Sequence, residues 1–214
     1  MICGVDEAGR GPVIGPLVIC GIRVDKDDLL RQLGVRDSKK LSRNQRESLS
    51  EKIEKVAEEI QIVEIAAEEI DAIREEMTLN QLEVKVFASV INRLKPSIAY
   101  VDSADVNEER FGKDILQEIE LPVDVISRHR ADETYPVVSA ASILAKIRRD
   151  QVVRSIGQEI GEPIGSGYPS DPITIRFLES WIERYDRLPP HTRKSWDTCS
   201  RLLRMKSLRR IDEF

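Results

Sequence analysis

"ICGVDEAGRGPVIGPLVICGIRV", residues 2–24, decides how the rest of the chain is read. Residues 2–5 and 13–24 each have the composition of a strand, and the second is almost continuously apolar, as a buried central strand is. The glycines and proline between and beside them (Gly9, Gly11, Pro12, Gly15) suit a hairpin-like connection. A strand end needs one polar turn residue. This one carries two adjacent acids, Asp6 and Glu7, followed by Gly9-Arg10-Gly11.

Working outward, the elements alternate. Ser42 and Gln45 have capping-box spacing, and Leu49, Ile53, Val56 and Ile60 then fall on one helical face. Residues 60–66 have strand composition. Leu79, Leu82, Val86 and Val90 mark a helix that should stop before Pro96. Residues 97–104 read as a strand, 107–119 as a helix and 122–127 as a strand. Pro136 suits the first turn of a further helix. This order implies an α/β fold: a mixed sheet flanked by helices. No clear strand follows residue 165. The expected organisation is a catalytic domain over 1–165 and a helical extension over 166–214, in which 179–185 forms an amphipathic helix with Trp181 in the core.

The chain has 214 residues and a net charge of −5, which gives no overall attraction to nucleic acid. Charge is uneven, however. Residues 51–71 hold eight acids, whereas 193–210 hold seven bases against one acid. The basic run reads either as a solvated helix face or as a groove wall for a polyanion. Cys3, Cys20 and Cys199 have no metal-type spacing and read as reduced thiols. With no signal peptide and no apolar run of membrane-spanning length, a cytoplasmic monomer is expected.

Four acids stand where strands end or helices begin: Asp6 and Glu7 after the first strand, Asp102 at the end of "IAYV", and Asp132 ahead of the helix near Pro136. Strand ends of an α/β sheet share one edge, where ligands bind. Acids gathered there repel unless a cation or shared protons offset the charge. Oxygen-only ligands favour Mg²⁺ or Mn²⁺. Two such ions about 3.5–4 Å apart suit phosphodiester cleavage. Taken singly, each acid reads equally as a turn residue or cap. Glycines at 9, 11 and 15 fit neither a dinucleotide fingerprint nor a P-loop.

"GVDEAGRGPVIGPLV", "RDSKKLS", "YVDSADV", "HRADETYPVVSAASILAKIRRD" and "GSGYPSDP" together resemble the motifs of ribonuclease HII, particularly its archaeal members. The resemblance covers residues 1 to about 200. It implies a ribonuclease H-like fold with a C-terminal helical extension. It implies an endoribonuclease that cleaves the RNA strand of RNA–DNA hybrids and cuts 5′ to a ribonucleotide embedded in duplex DNA, leaving 3′-hydroxyl and 5′-phosphate ends. The metal-binding acids would be Asp6, Glu7, Asp102 and Asp132. Gly9, Arg10 and Gly11 would grip the backbone around the ribonucleotide, and Tyr168 would stack on the nucleotide after the ribose. Lys39 and Lys40 become phosphate contacts rather than ordinary surface lysines. Ser139, Ser142 and Lys146 share a helical face that either permits close packing or faces substrate. His129 and His191 read as local groups, not general acids. In the tail, Ile211 and Phe214 match the spacing of a sliding-clamp peptide, with Leu208 where glutamine is expected; the alternative is a tail docked on its own domain.

Within this fold, a 3′–5′ exonuclease or an integrase-like nuclease also gathers carboxylates. A nucleic-acid-binding module with a structural acid cluster is the non-enzymatic alternative.

Overall fold

The computed structural model describes residues 1–35 and 42–212. Lys39, Lys40 and Phe214, and the side chain of Ile211, lie outside the described residues. The strands are β1 (Ile2–Ala8), β2 (Leu17–Val24), β3 (Glu59–Ile65), β4 (Ile98–Asp102) and β5 (Asp124–Arg128). The helices are α1 (Asp28–Gln32), α2 (Arg43–Val56), α3 (Ala67–Ile73), α4 (Leu79–Leu94), α5 (Glu108–Gln117), α6 (Ala131–Thr134), α7 (Pro136–Ile160), α8 (Pro172–Tyr185) and α9 (Asp197–Asp212).

The chain divides into two compact units, each discontinuous in sequence. The first comprises Met1–Ala8, Val18–Glu64 and Thr78–Arg148; the second comprises Gly9–Leu17, Ile65–Met77 and the chain from Arg149 onward.

The first unit is built on a five-stranded sheet in the order β3-β2-β1-β4-β5. β1 runs antiparallel to β2 and parallel to β4, and β4 runs parallel to β5. Helices cover both faces, and two glycines show why. A Cβ on Gly4 would stand 2.4 Å from the Val137 carbonyl carbon, so the first turn of α7 lies directly on β1. A Cβ on Gly21 would stand 2.3 Å from a Val90 methyl of α4. Gly21 pairs with Val5, whose side chain points opposite to the Gly4 position, so α4 lies on the other face. On the α7 face, Val18, Cys20, Ile22 and Val24 pack with Leu30, Leu49, Ile53, Val137, Ala141 and Leu144. On the α4 face, Phe87 and Phe111 meet edge to face at 5.4 Å.

Local signals terminate these elements as their chemistry requires. The Ser42 hydroxyl accepts from the Gln45 N–H and the Gln45 side chain accepts from the Ser42 N–H, closing the capping box of α2. α4 stops at Leu94 because Lys95, ahead of Pro96, turns left-handed at φ 50°. The strand expected over 13–24 is shorter. β2 starts at Leu17, and Ile14 makes only an isolated bridge to Thr192.

The second unit has its own core, in which Val13 and Ile14 pack with Val153, Ile156, Ile164, Phe177, Leu178, Ile182, Cys199 and Leu202. Residues 179–185 do lie in one helix, α8, but Trp181 is only half-buried. Its ring packs at 5.8 Å from Phe177 and 4.5 Å from Tyr185 at the edge of that core. All three cysteines are free and buried. Burial pushes the thiols of Cys3 and Cys199 up to about 12, so neither is a ready nucleophile. Among the described residues no helix is long and apolar enough to cross a membrane.

Candidate active site

In the first unit the parallel register pairs Val5 with Val101, which makes Asp6 and Asp102 neighbours at the carboxyl ends of β1 and β4. Side chains alternate along a strand, so both carboxylates project from the α7 face, roughly one strand spacing apart. Asp6 is 4% exposed. Burial, followed by the charges of Glu7 and Asp102, holds its carboxyl well above the ordinary range. A hydrogen bond from the Ser142 side chain on α7 and another from the Glu7 N–H, at 2.7 Å, oppose that rise. Glu7 is half-buried, and its charge acts on Asp6.

Asp102 accepts a 2.8 Å bond from the N–H of Ala131. That bond ties the end of β4 to α6, the short helix on which Asp132 sits, 8% exposed. The left-handed Arg130 (φ 56°) makes the sharp entry into this helix. Asp132, expected just ahead of a helix near Pro136, thus has a helical turn of its own.

The structure therefore brings Asp6, Glu7 and Asp102 into electrostatic contact and links Asp102 to the main chain beside Asp132. Among the described residues, no three His, Cys, Asp or Glu side chains are already drawn into a metal-ligand cluster. The chemistry of the donor set nevertheless fits a hard divalent cation. All the donors are carboxylate oxygens, and their mutual repulsion is what a cation offsets.

The remaining candidates of this unit separate. Ser139 is 3% exposed, and its hydroxyl donates to the Val35 carbonyl at 2.8 Å. It packs inside the unit, whereas Ser142, one turn on, reaches the acids. Lys146, a turn beyond Ser142, is exposed. His129 is exposed; its N–H donates to Glu108 and its ring lies 3.3 Å from the Val106 carbonyl oxygen.

In the second unit the Gly9–Leu17 segment is held by its backbone. Gly9 has φ +88°, and a Cβ there would meet the Pro16 carbonyl oxygen at 2.5 Å. Three carbonyls of this segment converge on Arg193, which is fully buried. Its guanidinium donates to Gly15 at 3.0 Å, Arg10 at 2.9 Å and Gly9 at 2.6 Å. The N–H groups of Val13 and Ile14 donate to the Gly167 carbonyl at 2.8 and 3.2 Å, placing the loop beside Tyr168. Gly11 is exposed, and a Cβ on it would lie 3.8 Å from the Tyr168 ring.

Tyr168 is half-buried, with the guanidinium of Arg149 4.7 Å from its ring centroid. Arg149 is itself 2% exposed and also donates to the Ser166 carbonyl. The Thr174 hydroxyl accepts from the Gly167 N–H and donates to the Ile164 carbonyl, fixing the turn that carries the tyrosine.

Two arginines that sequence reasoning missed thus organise this unit. Arg193 belonged to the basic run of 193–210, yet among the described side chains of that run it is the most deeply buried cation, while Lys194, Arg201 and Arg204 are exposed. Lys206 turns inward to the Ile182 carbonyl and to Asp186. The available signal for Arg193 was its place in an irregular, proline-led stretch ("LPPHTRKSW"), where no helix presents a solvated face.

The model of the family described as ribonuclease HII matches residues 3–199. The chain belongs to the ribonuclease HII family. It is 47% identical over 214 residues to the ribonuclease HII of Methanoregula boonei, covering 100% of both chains. Among solved structures it is similar to the ribonuclease H2 from Pyrococcus horikoshii OT3, with a TM-score of 0.88 and 42% identity over 95% of this chain and 97% of that one. It is equally similar to ribonuclease HII from Archaeoglobus fulgidus, solved as a complex with PCNA: TM-score 0.88, 43% identity, 94% of this chain and 96% of that one. The mixed sheet with flanking helices is the ribonuclease H-like fold. The chain is accordingly a ribonuclease H hydrolase of a divalent-metal-dependent family that cleaves the RNA of RNA–DNA hybrids.

Proposed function

We propose that this enzyme also incises 5′ to single ribonucleotides embedded in duplex DNA, by two-metal-ion hydrolysis that leaves 3′-hydroxyl and 5′-phosphate ends. The mutually repelling carboxylates at the ends of β1 and β4, with Asp6 buried among them, carry this reading. Asp6, Glu7, Asp102 and Asp132 would hold Mg²⁺ or Mn²⁺. When bound, the two ions activate a water and stabilise the leaving 3′ oxygen. The Ser142 hydroxyl keeps the Asp6 carboxylate oriented. Water adds to phosphorus, the bond to the 3′ oxygen breaks, and that oxygen leaves as a hydroxyl.

Specificity for ribose rests on the second unit. Telling RNA from DNA requires contact with the 2′-hydroxyl. Gly9 lets the loop fold against Pro16, a backbone with no Cβ at exposed position 11 approaches a sugar closely, Arg10 clamps a phosphate, and Tyr168 stacks on the next nucleotide. Lys39, Lys40 and Lys146 contact phosphates. In this division of labour residues 1–165 carry catalysis and the Gly-Arg-Gly contact, and the extension over 166–214 adds Tyr168 to the substrate-binding surface.

A duplex with one embedded ribonucleotide tests the reading. A single internal cut 5′ to the ribose is expected with Mg²⁺ or Mn²⁺, and none on an all-DNA duplex. Stepwise trimming from an end would assign an exonuclease instead, and binding without cutting a passive module.

The tail is a second partner site in this proposal. A similar protein is solved with PCNA, and Ile211 and Phe214 have clamp-peptide spacing. A peptide of residues 204–214 is expected to bind a sliding clamp weakly, with Leu208 in place of glutamine. Calorimetry showing no heat at several hundred micromolar, roughly the weak end of specific binding, would sink it.

A further inference from the structure

The segment that carries Arg193 has little structure of its own. Residues 189–196 form no helix or strand beyond the Ile14–Thr192 bridge, and His191 takes a left-handed φ of 60°. An untethered segment of this kind samples many conformations, and a long arginine on it would not stay aimed. The tether comes from α3, whose short run of residues gave no sequence signal. Both carboxylate oxygens of Asp71 are engaged. They accept from the N–H groups of Lys194 at 2.7 Å and Ser195 at 3.1 Å, and from the Ser195 hydroxyl at 2.6 Å. One turn earlier, Glu68 accepts from the His191 N–H at 2.9 Å. The two acids thus grip the chain on either side of Arg193, whose own N–H donates to the Val13 carbonyl at 2.8 Å. All of these groups belong to the second unit.

We propose that Asp71 is a positioning residue for ribonucleotide recognition: by holding Lys194 and Ser195 it aims Arg193 at the carbonyls of Gly9, Arg10 and Gly15. Asp71 touches no substrate in this scheme. It acts through two successive links, α3 to the 191–195 segment and Arg193 to the Gly-Arg-Gly loop. Preorganised backbone dipoles are effective only while their supporting contacts hold them within a fraction of an ångström. The proposal rests on the reading of Gly9–Gly11 as the element that senses ribose.

The test is a double-mutant cycle of Asp71→Asn with Arg10→Ala, read as kcat/KM on a duplex with one ribonucleotide. Asn keeps the shape of Asp71 but loses the charge and one acceptor. Alone it is expected to lower kcat/KM about tenfold, the effect of losing charge-assisted bonds that hold a loop. In the Arg10→Ala background the same substitution is expected to change little, because the element it positions is already impaired. A residue that merely stabilises the fold would give the same fold-change in both backgrounds, and that additivity would overturn the proposal. So would an unchanged kcat/KM for Asp71→Asn. If Arg10→Ala by itself leaves cutting at the ribonucleotide unchanged, the recognition reading fails, and the proposal with it. Should Asp71→Asn melt below the assay temperature, Ser195→Ala removes only the hydroxyl bond. About a threefold loss that disappears with Arg10→Ala is expected there, and no loss overturns the proposal.

Discussion

Asp6→Asn is expected to lower single-turnover cleavage of a hybrid by at least ~10³-fold, since in the proposed mechanism it removes a donor of the two-ion site. The same substitution should make the protein more stable at neutral pH without metal. Burial and the charges of Glu7 and Asp102 raise the folded-state pKa of Asp6 above its unfolded value. A group raised in this way favours folding fully at low pH, and that contribution is lost as pH rises through the folded-state pKa. At neutral pH an aspartic acid at this position therefore costs stability, and a neutral asparagine of the same shape does not. Scanning calorimetry in chelator should show a higher Tm for Asp6→Asn at pH 7, with the gap closing toward acid. Adding Mn²⁺ or Mg²⁺ should reverse the order, because a ligand that binds only the folded state raises the Tm of the wild type. Full activity in Asp6→Asn would refute the assignment, and a metal-induced shift equal to that of wild type would place the ions elsewhere.

Arg193→Met is expected to lower unfolding stability by about 3–5 kcal/mol. Methionine fills much of the volume but leaves the carbonyls of Gly9, Arg10 and Gly15 without the donors that Arg193 supplies. For a chain of this size the loss corresponds to a fall in Tm on the order of 10 °C. Arg193→Lys should fall between the two, since one ammonium cannot reach three divergent carbonyls as a planar fork does. A Tm for Arg193→Met close to that of the wild type would mean that solvent satisfies these carbonyls equally well.

Much of the sheet and its helices was legible because its signals are local. The capping box at Ser42 and Gln45, the stop before Pro96, the alternation around "DVIS" and the proline opening α7 each depend on a few neighbouring residues. Asp6 and Asp102 could be placed on one edge because strand ends of such sheets share it. What failed to show depends on distant partners. Residues 13–16 are as apolar as the strand after them, but their backbone bonds go to Gly167, His191 and Arg193. α3 spans only seven residues, too few for a helical period to stand out. Ser139 and Ser142 look equivalent on a helical wheel; only Val35 on one side and Asp6 on the other distinguish them. Arg193 sits in a basic run, and nothing within that run reveals that its partners lie near the other end of the chain.

That distance has a consequence for synthesis. The bond from Arg193 to Gly9 joins residues 184 positions apart. A nascent chain emerges N-terminus first, at about 5–20 residues per second. During most of translation the Gly-Arg-Gly stretch is therefore already outside the ribosome with its carbonyls still hydrated. Only once residue 193 has appeared does the guanidinium arrive to lock them. A product truncated between residues 132 and 193 would carry every acidic residue of the proposed metal site yet lack the clasp on the Gly-Arg-Gly loop. The segment around Arg193 thus completes a loop that was made much earlier.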